Sequence, residues 1–397
     1  MTDFAETKTL FHLPEGVVYL DGNSLGPLPK SAPARIAQAV EAEWGAELIG
    51  GWTKCGWMDQ PTALGDRIGR LIGAAPGTTT IGDTLSIKVF QALSAALALR
   101  PDRRIVLTDM GNFPTDLYMA QSLLDALGQG HVLKAVAPEE VADHLGEDVA
   151  VLMLTQVDYR TGRRHDMAGL TAAAHEKGAL TVWDLAHSAG AIAVNMIGTG
   201  ADFCVGCTYK FLNAGPGAPA FISVAPQHAE KTEPILAGWL GHAAPFAFEP
   251  AYRAGLGIER FRVGTPPVLQ MAALDAALDI WDGVDLAALE EKAATLGNLF
   301  INEVEARCPD LTLASPRDAR HRGSQVSFRH PDGYPIMQAL IADGVVGDFR
   351  APDILRFGIT PLYLDEADIR TATERIETVM KTRAYDLPEH REVKAVT

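Results

Sequence analysis

The stretch "FCVGCTYKFLNAGPGAPAFISV" (203–224) holds two kinds of residue able to do chemistry. One is the pair Cys204-x-x-Cys207. The other is Lys210, which follows Tyr209 at the end of an apolar run and leads into a Gly/Pro-rich turn. A Cys-x-x-Cys can be half of a zinc site or a redox pair. Zinc needs two further ligands, and neither Cys55 nor Cys308 has a Cys or His at ligand spacing, so no metal site is expected. A redox pair sits where a strand enters a helix, whereas this pair reads as strand, with residues three apart on opposite faces. The two thiols are therefore expected to be small buried hydrophobes. Lys210 has company: "TVWDLAHSAG" (181–190) reads as a strand ending in Asp184, with His187 just beyond. A lysine and an aspartate at neighbouring strand ends suit pyridoxal 5′-phosphate. The amine holds the cofactor's aldehyde, and the carboxylate keeps the ring nitrogen protonated, which makes the ring an electron sink. Each motif alone has a plainer reading, a surface lysine or a helix-capping aspartate. Together, in this order, they favour the cofactor.

Such a cofactor needs a phosphate site. "GDTLSIKVF" (82–90) opens a helix with small and hydroxyl-bearing residues, where backbone N–H groups and the helix dipole favour an anion. The Leu85 and Ser86 amides and the Ser86 hydroxyl are the candidates, with Asp83 as a plain N-cap the alternative. "GNFPTD" (111–116) follows the strand "RIVLTD" and offers Phe113 to stack on a pyridine ring.

These groups need a scaffold that brings strand ends together. "RIVLTD", "AVLMLTQV", "LTVWD" and "ADFCVGCT" are apolar runs closed by polar residues, separated by helical patterns such as "PTDLYMAQSLLDALG" and "MAGLTAAAHEKG". That alternation predicts an α/β fold with a mainly parallel sheet covered on both faces, and ligands bound at the carboxyl ends of its strands. "SAPARIAQAVEAEWGAEL" predicts a helix capped by Ser31. After about residue 267 the pattern changes to long amphipathic helices, short strands and a last helix near 365–381. The expected organisation is an N-terminal segment (1–30) packing with the small domain, a large cofactor-binding domain (31–267) and a smaller α+β domain (268–397).

The chain has 397 residues and a formal net charge of −16, which argues against nucleic-acid or anionic-membrane partners. No apolar run is long enough to span a membrane. The first residues lack a basic start followed by an apolar stretch, so no secretion signal is expected and the cytoplasm is the expected compartment.

With these residues in place, the chain resembles the kynureninases of the fold-type-I pyridoxal-phosphate superfamily, in their bacterial form. The resemblance runs through "YLDGNSLGPLPK" (19–30), "NFPTD" (112–116), "WDLAHSAG" (183–190), "CTYKFLNAGPGAPAF" (207–221), "GWLGH" (238–242), "FRVGTPP" (261–267) and "LRFGITPLY" (355–363). It implies hydrolytic cleavage of the Cβ–Cγ bond of L-kynurenine to anthranilate and L-alanine, in tryptophan catabolism and the kynurenine route towards NAD. It implies that Lys210 carries the cofactor and moves the Cα proton, that Asp184 pairs with the pyridine nitrogen, and that His187 lies close to the ring. Phe113 stacks on the ring and Asp116 belongs to the same segment, while Leu85, Ser86, Tyr209 and Thr155 match cofactor contacts. Tyr209 is implied as proton donor or relay at Cβ. Trp239 and Thr265 match positions that reach the phosphate from a neighbouring subunit, which implies a homodimer with shared sites. Arg356 matches the arginine that holds the substrate α-carboxylate. Trp52 and the pair Gly264-Thr265 resemble the bacterial form and imply a preference for L-kynurenine over its 3-hydroxylated relative. The alternative is another β-lyase or a cysteine desulfurase of the same fold, which needs a reactive thiol, Cys55 or Cys308, near Lys210.

Overall fold

In the computed structural model, which describes residues 2–392, the alternating pattern folds into a seven-stranded sheet. Its strands are β1 (Thr79–Ile81), β2 (Ile105–Asp109), β3 (Val132–Val136), β4 (Val149–Thr155), β5 (Leu180–Asp184), β6 (Phe203–Gly206) and β7 (Phe221–Val224). They lie in the order β1-β7-β6-β5-β4-β2-β3. β7 runs antiparallel to both of its neighbours and every other pair is parallel.

The apolar runs are continuous because both faces are covered. Along β4, Val151 and Met153 join the layer made with the helices Leu85–Ala98 and Pro114–Leu127. Leu152 and Leu154 join the opposite layer, which holds Met167 and Ala174 of the helix Met167–Glu176. Successive residues of a strand face opposite ways, so a strand buried on both sides must be apolar throughout. β4, β5, β6 and β7 are buried at every position, whereas the edge strand β3 is partly exposed.

A second, antiparallel sheet takes Thr312–Leu313, Gln325–Arg329, Ile354–Gly358 and Asp348–Arg350 in that spatial order. The helices Leu286–Arg307, Gly333–Ala342 and Glu366–Thr382 accompany it. The N-terminal segment is tied to this region, since Val18–Tyr19 pairs in parallel with Val345–Val346. It then crosses to the large sheet, where the Gly26 amide donates to the Tyr209 carbonyl at 2.8 Å. The helix Val268–Trp281, expected to open the small domain, is bound to the other side of the chain: Asp275 pairs with Arg35 and Arg67.

Local expectations are corrected in four places. The strand expected to carry the Cys pair ends at Gly206, so Cys207 and Lys210 both lie beyond it. The helix expected behind Asp83 begins at Leu85 with Thr84 as its N-cap, and Asp83 itself adopts φ +55°. Ser31 precedes its helix without making a side-chain cap bond. The helix that Ser31 opens is regular only over Ala32–Gln38 and winds on more widely over Ala39–Ala46.

Candidate active site

Parallel pairing aligns the polar strand ends. Thr155 stands opposite Asp184 in register, and Asp184 opposite Val205. Ser24, Leu25, Thr84, Leu85, Ser86, Phe113, Thr115, Asp116, Cys207 and Tyr209 belong to the lining of a cleft of about 470 Å³ above these ends.

Asp184 is the buried anion of the group. Its Oδ1 accepts from the Ala186 amide at 2.7 Å, and its Oδ2 lies 3.5 Å from Thr155 Oγ1. Thr155 donates more closely to Asn112 Oδ1, which also accepts from the Phe113 amide at 2.7 Å. Asn112 thus fixes the start of the helix Pro114–Leu127, whose first turn carries Asp116. Burial, followed by the neighbouring Asp184 charge, pushes Asp116 well above the usual carboxylate range. Burial also raises Asp184, but Lys210, the Ala186 amide and hydrogen bonds from Asp116 and Thr155 oppose it. Two buried carboxyls in contact cannot both ionise, so the pair keeps one proton, on Asp116. One Asp116 oxygen, Oδ2, remains buried without a partner.

Lys210 reaches into the same place. Its Nζ lies 3.3 Å from His187 Nε2 and 6.0 Å from the centre of the Phe113 ring. Burial and then the Lys210 charge hold His187 well below its usual pKa, so the ring is neutral and Nε2 accepts from the amine. The turn carrying Lys210 is closed by the Asn213 amide donating to the Lys210 carbonyl at 2.9 Å, with Asn213 at φ +59°. Phe113 meets Tyr159 edge-on at 5.2 Å and keeps a face available on the cleft. Burial raises the Tyr209 phenol, and the adjacent Cys207 adds to the effect.

A phosphorylated pyridine aldehyde fits this donor set. The helix Leu85–Ala98 presents its first turn to the cleft, and Thr84 makes no side-chain cap bond that would compete for those amides. Phe113 offers an apolar face, the Asp184–Asp116 pair offers a charge and an unpartnered oxygen, and Lys210 offers an amine.

Four expected residues are not in this assembly. Gly264 and Thr265 line a separate recess of about 30 Å³ with Gly82, Asp83 and Lys88. Trp239 stacks edge-on against Phe246 at 5.8 Å, and Trp52 likewise against Trp57 at 5.8 Å. Trp239 and Thr265 nonetheless lie on one surface unit. Gly238 is so close to Val263 that a side chain there would overlap its carbonyl, and Leu240 donates to that carbonyl.

Several participants went unread in the sequence: Cys207 as a lining residue, Ser24, Thr84, Thr115 and Asn112. Cys207 is buried as expected, and burial raises its thiol, but it also faces the cleft. Cys55 and Cys308 lie outside the lining; burial raises both, Cys308 to about 11. Neither supplies the reactive thiol that a desulfurase needs.

Arg356 is buried, and its guanidinium and that of Arg350 lie close enough to depress His187. The strand Ile354–Gly358 places Arg356 directly opposite Asp348 on the neighbouring strand.

The architecture has close counterparts among solved structures. It matches the cysteine desulfurase CsdA of Escherichia coli with a TM-score of 0.79 at 17% identity, covering 96% of this chain and 99% of that one. It matches a C-DES variant, described with glycine covalently linked to its PLP cofactor, with a TM-score of 0.80 at 19% identity, covering 95% and 99%. The fold is therefore that of the fold-type-I pyridoxal-phosphate enzymes. Sequence similarity is narrower. The chain is 50% identical over 383 residues to the kynureninase of Deinococcus radiodurans, covering 95% of this chain and 93% of the relative. It is 47% identical over 388 residues to that of Pseudomonas fluorescens, covering 96% and 93%. Residues 289–376 match the kynureninase C-terminal domain. This chain belongs to the kynureninase family.

Proposed function

We propose that this chain is a pyridoxal-phosphate-dependent hydrolase that cleaves the Cβ–Cγ bond of L-kynurenine, releasing anthranilate and L-alanine. One observation carries the reading. In a chain that matches kynureninases along nearly its whole length, Phe113, Asp116 and the Leu85–Ala98 helix start line one cleft, with Asp184 against Asp116 and the Lys210 amine 6.0 Å from the Phe113 ring centre.

When bound, the cofactor supplies an electron sink next to the substrate's α-carbon. The residues of the chain do the rest. Asp184 would supply the negative charge that pairs with the ring nitrogen, and the protonated Asp116 stops a second negative charge from forming beside it. Leu85 and Ser86 would hold the phosphate and Phe113 would pack on the ring, while Thr155 stands beside Asp184. Lys210 holds the cofactor and takes the proton from Cα. Because His187 is neutral, it accepts from the Lys210 amine without repelling it. Tyr209 stays protonated through neutral pH and supplies the proton to Cβ as the bond breaks. Arg356 takes the α-carboxylate through a two-point, charge-assisted contact.

The functional unit is a homodimer in which Trp239, Thr265, Gly264 and Trp52 complete the partner's cleft. Two features support this. These residues do not line the cleft of their own chain, and around Trp239 the surface is strongly apolar, with Phe248 78% and Leu256 79% exposed. The cytoplasm is the proposed compartment. No helix among the described residues is long and apolar enough to cross a membrane. Incubating the purified, cofactor-loaded protein with L-kynurenine and following anthranilate fluorescence tests the reading. A protein that binds the cofactor and releases no anthranilate would refute it.

A further inference from the structure

The arginine assigned to the substrate carboxylate is not free. Asp348 occupies one edge of the Arg356 guanidinium: Oδ1 accepts from Nε at 2.6 Å, and Oδ2 accepts from Nη2. Nη1 donates to the Tyr159 carbonyl at 2.5 Å and Nη2 to Ser24 Oγ at 3.0 Å. Ser24 donates onward to Asp348 and also lines the cleft. A guanidinium has two edges able to grip a carboxylate at two points. With the Nε–Nη2 edge taken by Asp348, the Nη1–Nη2 edge holds only neutral acceptors, the Tyr159 carbonyl and Ser24 Oγ, which an anionic ligand would displace.

Behind this pair is a second acid. Leu20 is pinned between the two strands that flank Asp348 and Arg356, donating to the Val346 carbonyl and accepting from the Gly358 amide, both at 2.7 Å. The next residue, Asp21, is thereby set beside Asp348, and its Oδ1 is shut away from solvent without a partner. The ionisable groups around Asp21 are Asp348, Arg350, Arg356, Tyr19 and Tyr363. Arg350 Nη2 lies 2.9 Å from Asp348 Oδ2. Two guanidinium groups and two ionised carboxylates sum to zero, whereas one proton on an acid leaves a net positive charge. That difference matters to an anionic ligand at close range in a partly buried site. The proton belongs on Asp21, since Asp348 needs both oxygens for arginine. Burial and then the Asp348 charge push Asp21 up to about 8, while Arg356 and Arg350 hold Asp348 below its usual range against burial.

We propose that Asp348 is the positioning residue that turns the Nη1–Nη2 edge of Arg356 towards the cleft, and that Asp21 sets the net charge this guanidinium offers to a carboxylate. The proposal rests on the reading that Arg356 takes the substrate's carboxylate. It extends the substrate site into the N-terminal segment.

The test measures KM and kcat for L-kynurenine between pH 6.5 and 9.5 with the cofactor-loaded wild type, Asp21→Asn, Asp348→Asn and Asp348→Glu. Above pH about 8 the wild-type KM is expected to rise, by up to about tenfold per pH unit. Asp21→Asn, permanently neutral, is expected to lose that rise. A rise that persists unchanged in Asp21→Asn overturns the charge role. Asp348→Asn is expected to raise KM at pH 7 at least about tenfold with little change in kcat, and Asp348→Glu to recover part of the loss. A loss confined to kcat overturns the positioning role. Cofactor absorbance and melting temperature report whether each variant is folded. If Asp348→Asn does not fold, Asp348→Glu decides the positioning role by the same split between KM and kcat. If the wild type releases no anthranilate, the function reading fails by itself. Binding of L-alanine, titrated by the change in cofactor absorbance across the same variants and pH range, then decides this proposal.

Discussion

The strand ends around Lys210 and the surface running from Gly238 to Thr265 are built on opposite terms. Around Lys210 the polar groups are buried and paired within one chain: Asp184 with the Ala186 amide and Asp116, Thr155 with Asn112, Lys210 with His187. The second surface is braced from below, where Gln91 and the buried Lys88 donate to the Phe261 carbonyl. Above, it exposes Phe246, Phe248 and Leu256 to solvent. The first region is a site that one chain can nearly assemble. The second is a rigid surface whose apolar side chains have no cover in a single chain, which suits a part lent to another copy. In the proposed homodimer, buried polar geometry and exposed apolar geometry would divide the cleft into an owned half and a lent half.

Breaking the owned half should have the largest effect. On the proposed roles, Lys210→Ala would remove both the cofactor's anchor and the base at Cα, so turnover should fall by at least about 10⁴-fold. The visible absorbance of the lysine-bound cofactor should vanish as well. Borohydride reduction of the wild type followed by peptide mapping should label Lys210. Label on Lys88, a fully buried lysine near the helix start, would contradict the assignment. Asp184→Asn should come next. On the proposed role it would remove the charge that pairs with the ring nitrogen, and it changes the partner of Asp116, so kcat should drop about a hundredfold or more while cofactor still binds. Near-normal turnover would remove Asp184 from the electron-sink role.

Within the lent half, single changes at Trp52 and Gly264 should act more gently, on selectivity, than joint loss of Trp239 and Thr265. If Trp52 fills space beside the substrate's aniline ring and Gly264-Thr265 offers no good partner to a 3-hydroxyl, that hydroxyl is desolvated at a cost of roughly 1–3 kcal/mol. The kcat/KM for L-kynurenine should then exceed that for 3-hydroxy-L-kynurenine by about ten- to a hundredfold. Equal or reversed values would reject the selectivity. They would leave the owned half untouched, which sharpens the division.

The strand ends around Lys210 were legible in the sequence because their signals are local. Apolar runs closed by Thr155 and Asp184 name their own strand ends, and parallel register does the rest. Strands with weaker signals escaped: β1 is short, β3 is a half-exposed edge, and β7 reverses direction inside an otherwise parallel sheet. The Asp348–Arg356 pair was also illegible, because two antiparallel strands of another sheet create it and the N-terminal segment completes it from more than 300 positions away (|i−j| = 332 for Ser24 and Arg356). Asp21 and Ser24 carry no periodicity that would single them out. Trp52, Trp239, Gly264 and Thr265 came only from resemblance, and a single chain gives their positions no contact with Lys210.

The division into owned and lent halves is tested most directly by mixing two crippled chains. One carries Lys210→Ala. The other carries Trp239→Ala and Thr265→Ala together, and each preparation alone should be nearly inactive. After subunit exchange at equal concentrations, half of the dimers are hybrids, and one site in each hybrid joins an intact Lys210 to an intact lent surface. Activity should return to about a quarter of the wild type. Mixing that restores nothing, with exchange verified by differently tagged chains, would contradict a cleft shared between two copies.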